Sequence, residues 1–391
     1  MKSTNQNNKK EKKVRYLSPS FKKGAVKDKK EEKVEKKDED GDFKINLLSV
    51  EEEDEIESKS PSPSKHKKGH KKKDGKSPVA NLVPIKDDTT VNALPEGRVK
   101  KVASFSQAGK GEDGFTKVNQ DSFFVLQNEY KLKDFNVFSV LDGHGVNGHF
   151  VSRFVTKYFT SFFKNNKKMN ACNSNEDAVY HRLKKHDCDI ISRAFRHAEK
   201  DLEKKGETDA QFSGTTCVMV LQIGERIICA NVGDSRAIIV KGNGVVSNLS
   251  IDQKPDDPEE SKRIKEKGGE ISQYEEDGEK SGPYRVWKKG EPYPGIAMSR
   301  SIGDFVASSL GVIPEPKFIE DTIDKDTKFI VIASDGVWEF LDNKRVCEIV
   351  MSYYKNNDPD GACKALIKES TEWWNKEDIV VDDITVIVVF F

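Results

Sequence analysis

Aspartates recur at the ends of apolar runs in this chain. Residues 135–141 (FNVFSVL) stop at Asp142, with Gly143 and His144 next; residues 226–232 (RIICANV) stop at Gly233 and Asp234, and residues 328–333 (KFIVIA) stop at Ser334 and Asp335. Asp121 opens the run DSFFVL, and Asp382 and Asp383 immediately precede ITVIVVFF. Strands buried on both faces read as such continuous apolar runs, so each acid falls at a sheet edge. Two unit charges ~4 Å apart repel by roughly 4 kcal/mol at an effective dielectric of about 20, so acids that converge need a cation among them. Lys or Arg could serve, but an all-oxygen donor set suits a hard ion such as Mg²⁺ or Mn²⁺. Any single Asp-Gly pair also reads as a turn; it is the repetition that points to a metal centre.

The ordered motifs DGHG (142–145), GDSR (233–236), SRSIGD (299–304), SDGVWE (334–339) and DDITV (382–386) resemble those of the metal-dependent serine/threonine protein phosphatases, the PPM family or type 2C. NQD at 119–121 resembles the first acidic motif of that family's plant- and protist-like branch. The resemblance runs from about residue 97 to residue 391 and implies hydrolysis of phosphoserine and phosphothreonine in proteins, with two Mg²⁺ or Mn²⁺ ions activating a water and no covalent intermediate. Carried over position by position, it implies that Asp142 bridges the ions and the carbonyl of Gly143 completes one shell. Asp335 and Asp382 would bind the other ion, with Asp121 acting directly or through water. Asp234 and Glu339, with Asp335, match a third and weaker site, although Glu339 stands where Asp is more usual. His144 matches the general acid, a role that a His with a pKa of roughly 6.5 can fill near neutral pH. Asp304 reads as a structural carboxylate near the site. Gln120 stands where some relatives have Glu, and Thr116 where animal relatives have a phosphate-binding Arg; Lys117 or Arg153 could substitute. The reading from another class is a pseudophosphatase that uses the fold as a binding module, and loss of Asp142, Asp335 or Asp382 would have favoured it.

The 391 residues balance 66 Lys+Arg against 66 Asp+Glu, but residues 1–78 hold 23 basic and 16 acidic residues. That stretch has few large apolar side chains to offset an ordering cost of about 1–2 kcal/mol per residue. A disordered tail over 1–95 and one phosphatase domain over 96–391 are expected. Within the tail, 43–57 (FKINLLSVEEEDEIE) is a candidate partner-docking peptide, and 65–73 (KHKKGHKKK) is a candidate nuclear-localisation or polyanion-binding run. Ser60, Ser62 and Ser77 precede Pro and are candidate phosphorylation sites. Aromatic residues are not interleaved with the basic runs, which argues against specific nucleic-acid binding. Six cysteines without CxxC spacing, and no apolar run near the ~18 residues of a membrane span, fit a soluble monomer in the cytoplasm or the nucleus.

The elements that must position the acids follow from periodicity. Strands are predicted near 98–107 and after NQD. A helix after DGHG carries two apolar stripes, 150/154/158/162 and 151/155/159/163, and a second helix covers 177–204. Three strands at 215–223, 226–232 and 236–241 are joined by links too short for parallel crossovers, so the sheet is mostly antiparallel. Asp257-Pro258 starts a helix, 270–294 reads as a surface excursion that the resemblance equates with a variable flap, and helices near 343–354 and 359–374 precede the last strand. Trp373 and Trp374 read as packing residues. The fold class is α+β, which the resemblance sharpens to two stacked, mostly antiparallel sheets flanked by helices, an α-β-β-α sandwich.

Overall fold

The computed structural model describes residues 97–391 apart from 173, 174, 207 and 277. The tail over 1–95, the docking peptide 43–57, the basic run 65–73 and Ser60, Ser62 and Ser77 lie outside the described residues. Two five-stranded sheets form the centre. Their strands, in chain order, are β1 (Lys101–Gln107), β2 (Ser122–Leu126), β3 (Phe135–Leu141), β4 (Cys217–Ile223), β5 (Arg226–Val232), β6 (Arg236–Lys241), β7 (Val245–Asn248), β8 (Lys317–Thr322), β9 (Thr327–Ala333) and β10 (Ile384–Phe390). One sheet runs β1-β10-β9-β6-β7 and the other β8-β5-β4-β3-β2, with every neighbouring pair antiparallel.

The period of two in each strand divides its side chains between two layers. In β10, Ile384, Val386, Val388 and Phe390 join the cluster under the outer helices, while Ile387 and Val389 join the cluster between the sheets. In β3, Phe135, Val137 and Leu141 face the helices, and Phe138 and Val140 face the other sheet. Both faces are covered, which is why these strands read as unbroken apolar runs.

Helices α1 (Gly148–Asn165) and α2 (Glu176–Lys205) cover the β3 sheet; α3 (Pro258–Glu266) lies near the flap, and α4 (Asn343–Tyr354) and α5 (Pro359–Glu377) cover the β10 sheet. The double stripe of α1 is buried at Val151, Val155, Tyr158, Phe159, Phe162 and Phe163, but Phe150 is 49% exposed, so the stripe narrows in the first turn. Asp257 caps α3 by accepting from the backbone N–H groups of Glu259 and Glu260. Among the described residues, no helix is long and apolar enough to cross a membrane.

One expectation needs correction, that for Trp373, and two others gain detail. The link after β5 does not close a hairpin: Gly233, at φ 96°, turns the chain out of one sheet, and β6 pairs with β9 and β7 in the other. The surface excursion over 270–294 is built of strands: Gly269–Glu276 pairs with Glu279–Lys288, which pairs with Pro294–Ile296 over a small core of Ile264, Val286, Ile296 and Leu310. Of the two tryptophans, Trp374 packs edge-on against Phe340 and donates to Gly336 O at 2.8 Å, whereas Trp373 is exposed beneath Lys376.

Candidate active site

Strand direction decides where the acids meet. β3 ends at Leu141 and β2 begins opposite it, Ser122 pairing with Leu141, so Asp121 and Asp142 flank the same edge. β9 ends at Ala333 beside the first residues of β10, which brings Ser334 and Asp335 next to Asp382 and Asp383. β5 ends at Val232 opposite Cys217, and Thr216 N donates to Asp142 O at 2.9 Å, which draws Asp234 to that edge as well. The surface cleft lined by Arg98, Ile323, Lys328 and Phe391 lies at the opposite ends of β9 and β10 and takes no part.

Crowding shows in the proton affinities. Burial, then Asp335, Asp121 and Asp382, hold the Asp142 carboxyl well above the ordinary range. Burial, then Asp382 and Asp234, do the same to Asp335, and burial with Asp383 pushes Asp121 up to about 7. Asp121 Oδ1, Asp234 Oδ1 and Asp335 Oδ1 are buried without a hydrogen-bond partner. Buried carboxylate oxygens are normally satisfied, so three orphans at one edge fit an oxygen-seeking divalent ion. Gly143 could carry no side chain, because a Cβ would come 2.4 Å from Gly148 O and 2.5 Å from Gln120 O. Glu339 is exposed one turn beyond Asp335, its backbone N–H bonded to Asp335 O at 2.8 Å.

Two ammonium groups enter the cluster. Lys117 Nζ lies 2.5 Å from Asp382 Oδ1, and Lys254 Nζ 2.5 Å from Asp234 Oδ2. Burial opposes the charge of Lys254, but Asp234 outweighs it and raises the pKa. Lys254 lies outside every motif that the sequence singles out.

His144 Nε2 and Asp304 Oδ2 are 2.6 Å apart, and Ser301 Oγ donates to the same oxygen at 2.6 Å. Burial works against the imidazolium, yet Asp304 prevails and raises the His144 pKa. Gly214 admits this pair, since a Cβ there would come 2.0 Å from Asp304 Oδ2. Gln120 Nε2 donates to Gly145 O at 2.7 Å, a bond that an ionised Glu could not make; the amide ties the DGHG turn to β2. Asp383 is buried and accepts from Gly109 N at 2.7 Å and Gln120 N at 2.9 Å.

A second acidic trio, Asp257, Glu259 and Glu260, is accounted for without an ion. Asp257 caps α3, and Glu260 pairs with Arg300 at 2.7 Å and Arg263 at 2.8 Å.

Comparison with known proteins agrees with this geometry. The family model described as Protein phosphatase 2C matches residues 107–379. "Probable protein phosphatase 2C 35" of Arabidopsis thaliana is 32% identical over 302 residues, covering 73% of this chain and 82% of that protein. "Probable protein phosphatase 2C 64" of Oryza sativa subsp. japonica is 31% identical over 303 residues, covering 75% and 66%. Among solved structures, the serine-threonine phosphatase 2C from Toxoplasma gondii superposes with a TM-score of 0.61 at 21% identity, covering 74% of this chain and 94% of that one, a likeness of fold. With the family model spanning most of the described residues and the sheet edge carrying its acids, the chain belongs to the protein phosphatase 2C family.

Proposed function

We propose that this protein is a Mg²⁺- or Mn²⁺-dependent phosphatase acting on phosphoserine and phosphothreonine in proteins. The observation that carries the reading is the convergence of Asp121, Asp234 and Asp335, each with a buried, partnerless oxygen, beside Asp142 and Asp382. Asp142 and the Gly143 carbonyl would hold ions jointly with Asp335 and Asp382; Asp121 would support the set, and Asp234 with Glu339 would serve a third, weaker ion. The ions, when bound, supply Lewis acidity at the phosphoryl oxygens and acidify water.

The chain's own residues supply the rest. Nε2 of His144 is engaged by Asp304, and Nδ1 is buried without a partner, which leaves Nδ1 as the atom able to deliver a proton to the departing seryl or threonyl oxygen. Asp304 fixes the ring orientation and stabilises the charged form. Ser334 Oγ donates to Asp121 Oδ2 at 2.8 Å and accepts from Thr385 N at 3.0 Å, which holds one acid in place from two strands.

Hydrolysis of a phosphothreonine peptide is the test. Wild-type protein should require Mg²⁺ or Mn²⁺, lose activity on metal stripping and regain it on metal return, while Asp335→Ala should stay inactive at any metal concentration. Equal activity with and without metal would rule the reading out.

A further inference from the structure

Beyond His144 the chain sets apolar side chains in solvent. Val146 is 86% exposed and Phe212 is 48% exposed. Val146 stands just before Asn147, the residue that leads into α1. An apolar side chain at that position commonly packs back on the residue five places later and fixes the entry of the helix. Here Val151 is in the core while Val146 is not, so Val146 makes no such contact. Asn147 does not cap the helix either: its Nδ2 donates to Asp209 O at 2.9 Å, and its backbone N–H donates to Ser213 Oγ at 3.0 Å. On its other side the 209–213 segment accepts from Phe305 N and Val306 N at 3.1 Å and from Asp304 N at 2.9 Å. The DGHG turn closes tightly on this segment, since a Cβ on Gly145 would come 2.2 Å from Phe212 O. Val146 therefore lies alongside Phe212.

The Phe212 backbone is thus held between the turn that carries His144 and the segment that carries Asp304. Its ring meets Tyr293 of the flap edge-on, with centroids 5.9 Å apart. Lys288 fixes Tyr293 in turn, its Nζ 5.3 Å from the ring centroid and 3.0 Å from the hydroxyl. A proton leaving His144 goes to the side-chain oxygen of a seryl or threonyl residue, so the substrate backbone must pass within one side chain's length of the imidazole. Residues on either side of the phosphorylated one then come down on whatever borders His144. In a chain that is 34% charged, that border is a valine, a phenylalanine and the tyrosine behind it. Apolar groups on a fixed backbone take up an apolar partner at little ordering cost.

We propose that Val146 and Phe212, with Tyr293 supporting the ring, form a seat for a large apolar side chain of the substrate. The enzyme accordingly selects phosphorylated segments that carry Leu, Ile, Met or Phe within two positions of the phosphorylated residue. This rests on the phosphatase reading above and adds a substrate class to it. The backbone of the 209–213 segment steadies the His144 turn, whereas the exposed side chains read the peptide, so selectivity and turnover are separable by substitution.

The test uses full-length protein at saturating Mn²⁺ and phosphothreonine peptides of equal length and charge, with a single Leu or Ser one or two places before or after the phosphothreonine. The quantity read is the ratio of kcat/KM for the Leu peptide to that for the Ser peptide. Wild type should favour Leu about 10-fold at one or more of these places, the scale on which an apolar pocket discriminates. Phe212→Ser and Val146→Ser should bring the ratio close to one, and Phe212→Leu should keep most of it. Val245→Ser, an exposed apolar site at the far end of β7, should match wild type. Substitutions that only loosen the His144 turn would slow both peptides alike and leave the ratio intact, which would overturn the assignment. Wild type with no Leu preference at any of the four places would overturn it too. Wild type that hydrolyses neither these peptides nor p-nitrophenyl phosphate would instead sink the phosphatase reading itself, and the seat with it.

Discussion

The imidazole of His144 and the carboxylate of Asp304 meet at 2.6 Å across 160 residues of chain, and Asp304 reaches this position from a left-handed backbone conformation at φ 47°. A non-glycine residue in that region is uncommon, and here it coincides with the contact that orients the site's histidine. His144→Ala should lower kcat on a phosphothreonine peptide about 10²- to 10⁴-fold, the usual contribution of a positioned acid. The loss should be far smaller on p-nitrophenyl phosphate, whose leaving group departs without a proton. Asp304→Ala should show the same substrate-dependent split in milder form, and steady-state kinetics on both substrates check it.

Asp335 sits among Asp142, Asp382 and Asp234, so its charge works against the metal-free fold, and on the proposed function the same charge would bind an ion. Asp335→Asn should therefore melt higher than wild type in EDTA, on a scale of roughly 2–4 °C per kcal/mol of relieved repulsion. In excess Mn²⁺ the order should reverse, because only the wild type gains from the ion. Differential scanning calorimetry under both conditions tests this; a variant less stable than wild type in EDTA would contradict it.

Glu199 lies on α2 with Oε1 buried and unpaired, facing Glu315 and Glu203. Burial first, and Glu315 second, push its carboxyl up to about 8. The folded protein then binds this proton more tightly than the unfolded chain, whose value is near 4.5, so stability falls as pH rises from there through about 8. Glu199→Gln should remove that decline, leaving the variant more stable than wild type at pH 8 and nearly equal to it at pH 4.5. Denaturant titrations across this range measure the difference.

Glu260 is 1% exposed and is surrounded by Arg300, Arg263, Lys317 and Ser299 Oγ. Burial alone would raise its pKa, but Arg300 and Arg263 hold it well below the ordinary carboxylate value. Its contribution is thus present above about 4.5 and lost on acidification. Glu260→Ala leaves Arg300 buried and uncompensated and should cost about 3–5 kcal/mol in denaturant titrations. Because Arg300 begins the segment that carries Ser301 and Asp304, activity should fall with it, while Glu260→Gln should lose less of both.

The acids and the strands they terminate were legible because burial on both faces writes itself as an uninterrupted apolar run, as in β3, β9 and β10. Helix α3 was legible from its cap, since Asp257 and Pro258 act locally. What failed was whatever depends on contacts between distant segments. The switch of sheet after β5 rests on the turn at Gly233 rather than on link length, and β8 (KFIEDT) has no buried residue and carries acids, so its pairing with β5 left no apolar signature. The His144–Asp304 pair and the seats of Lys117 and Lys254 follow from topology alone, because a lysine near a motif reads the same whether it faces water or a carboxylate.

β10 lies between β1 and β9 and delivers Asp382 and Asp383 at its leading end. During synthesis β1 must wait for almost the whole domain to follow before this neighbour exists, and the acidic edge stays open for that interval. At roughly 5–20 residues per second the delay amounts to tens of seconds, so a ribosome-bound chain holds no assembled acidic edge until its last strand has emerged.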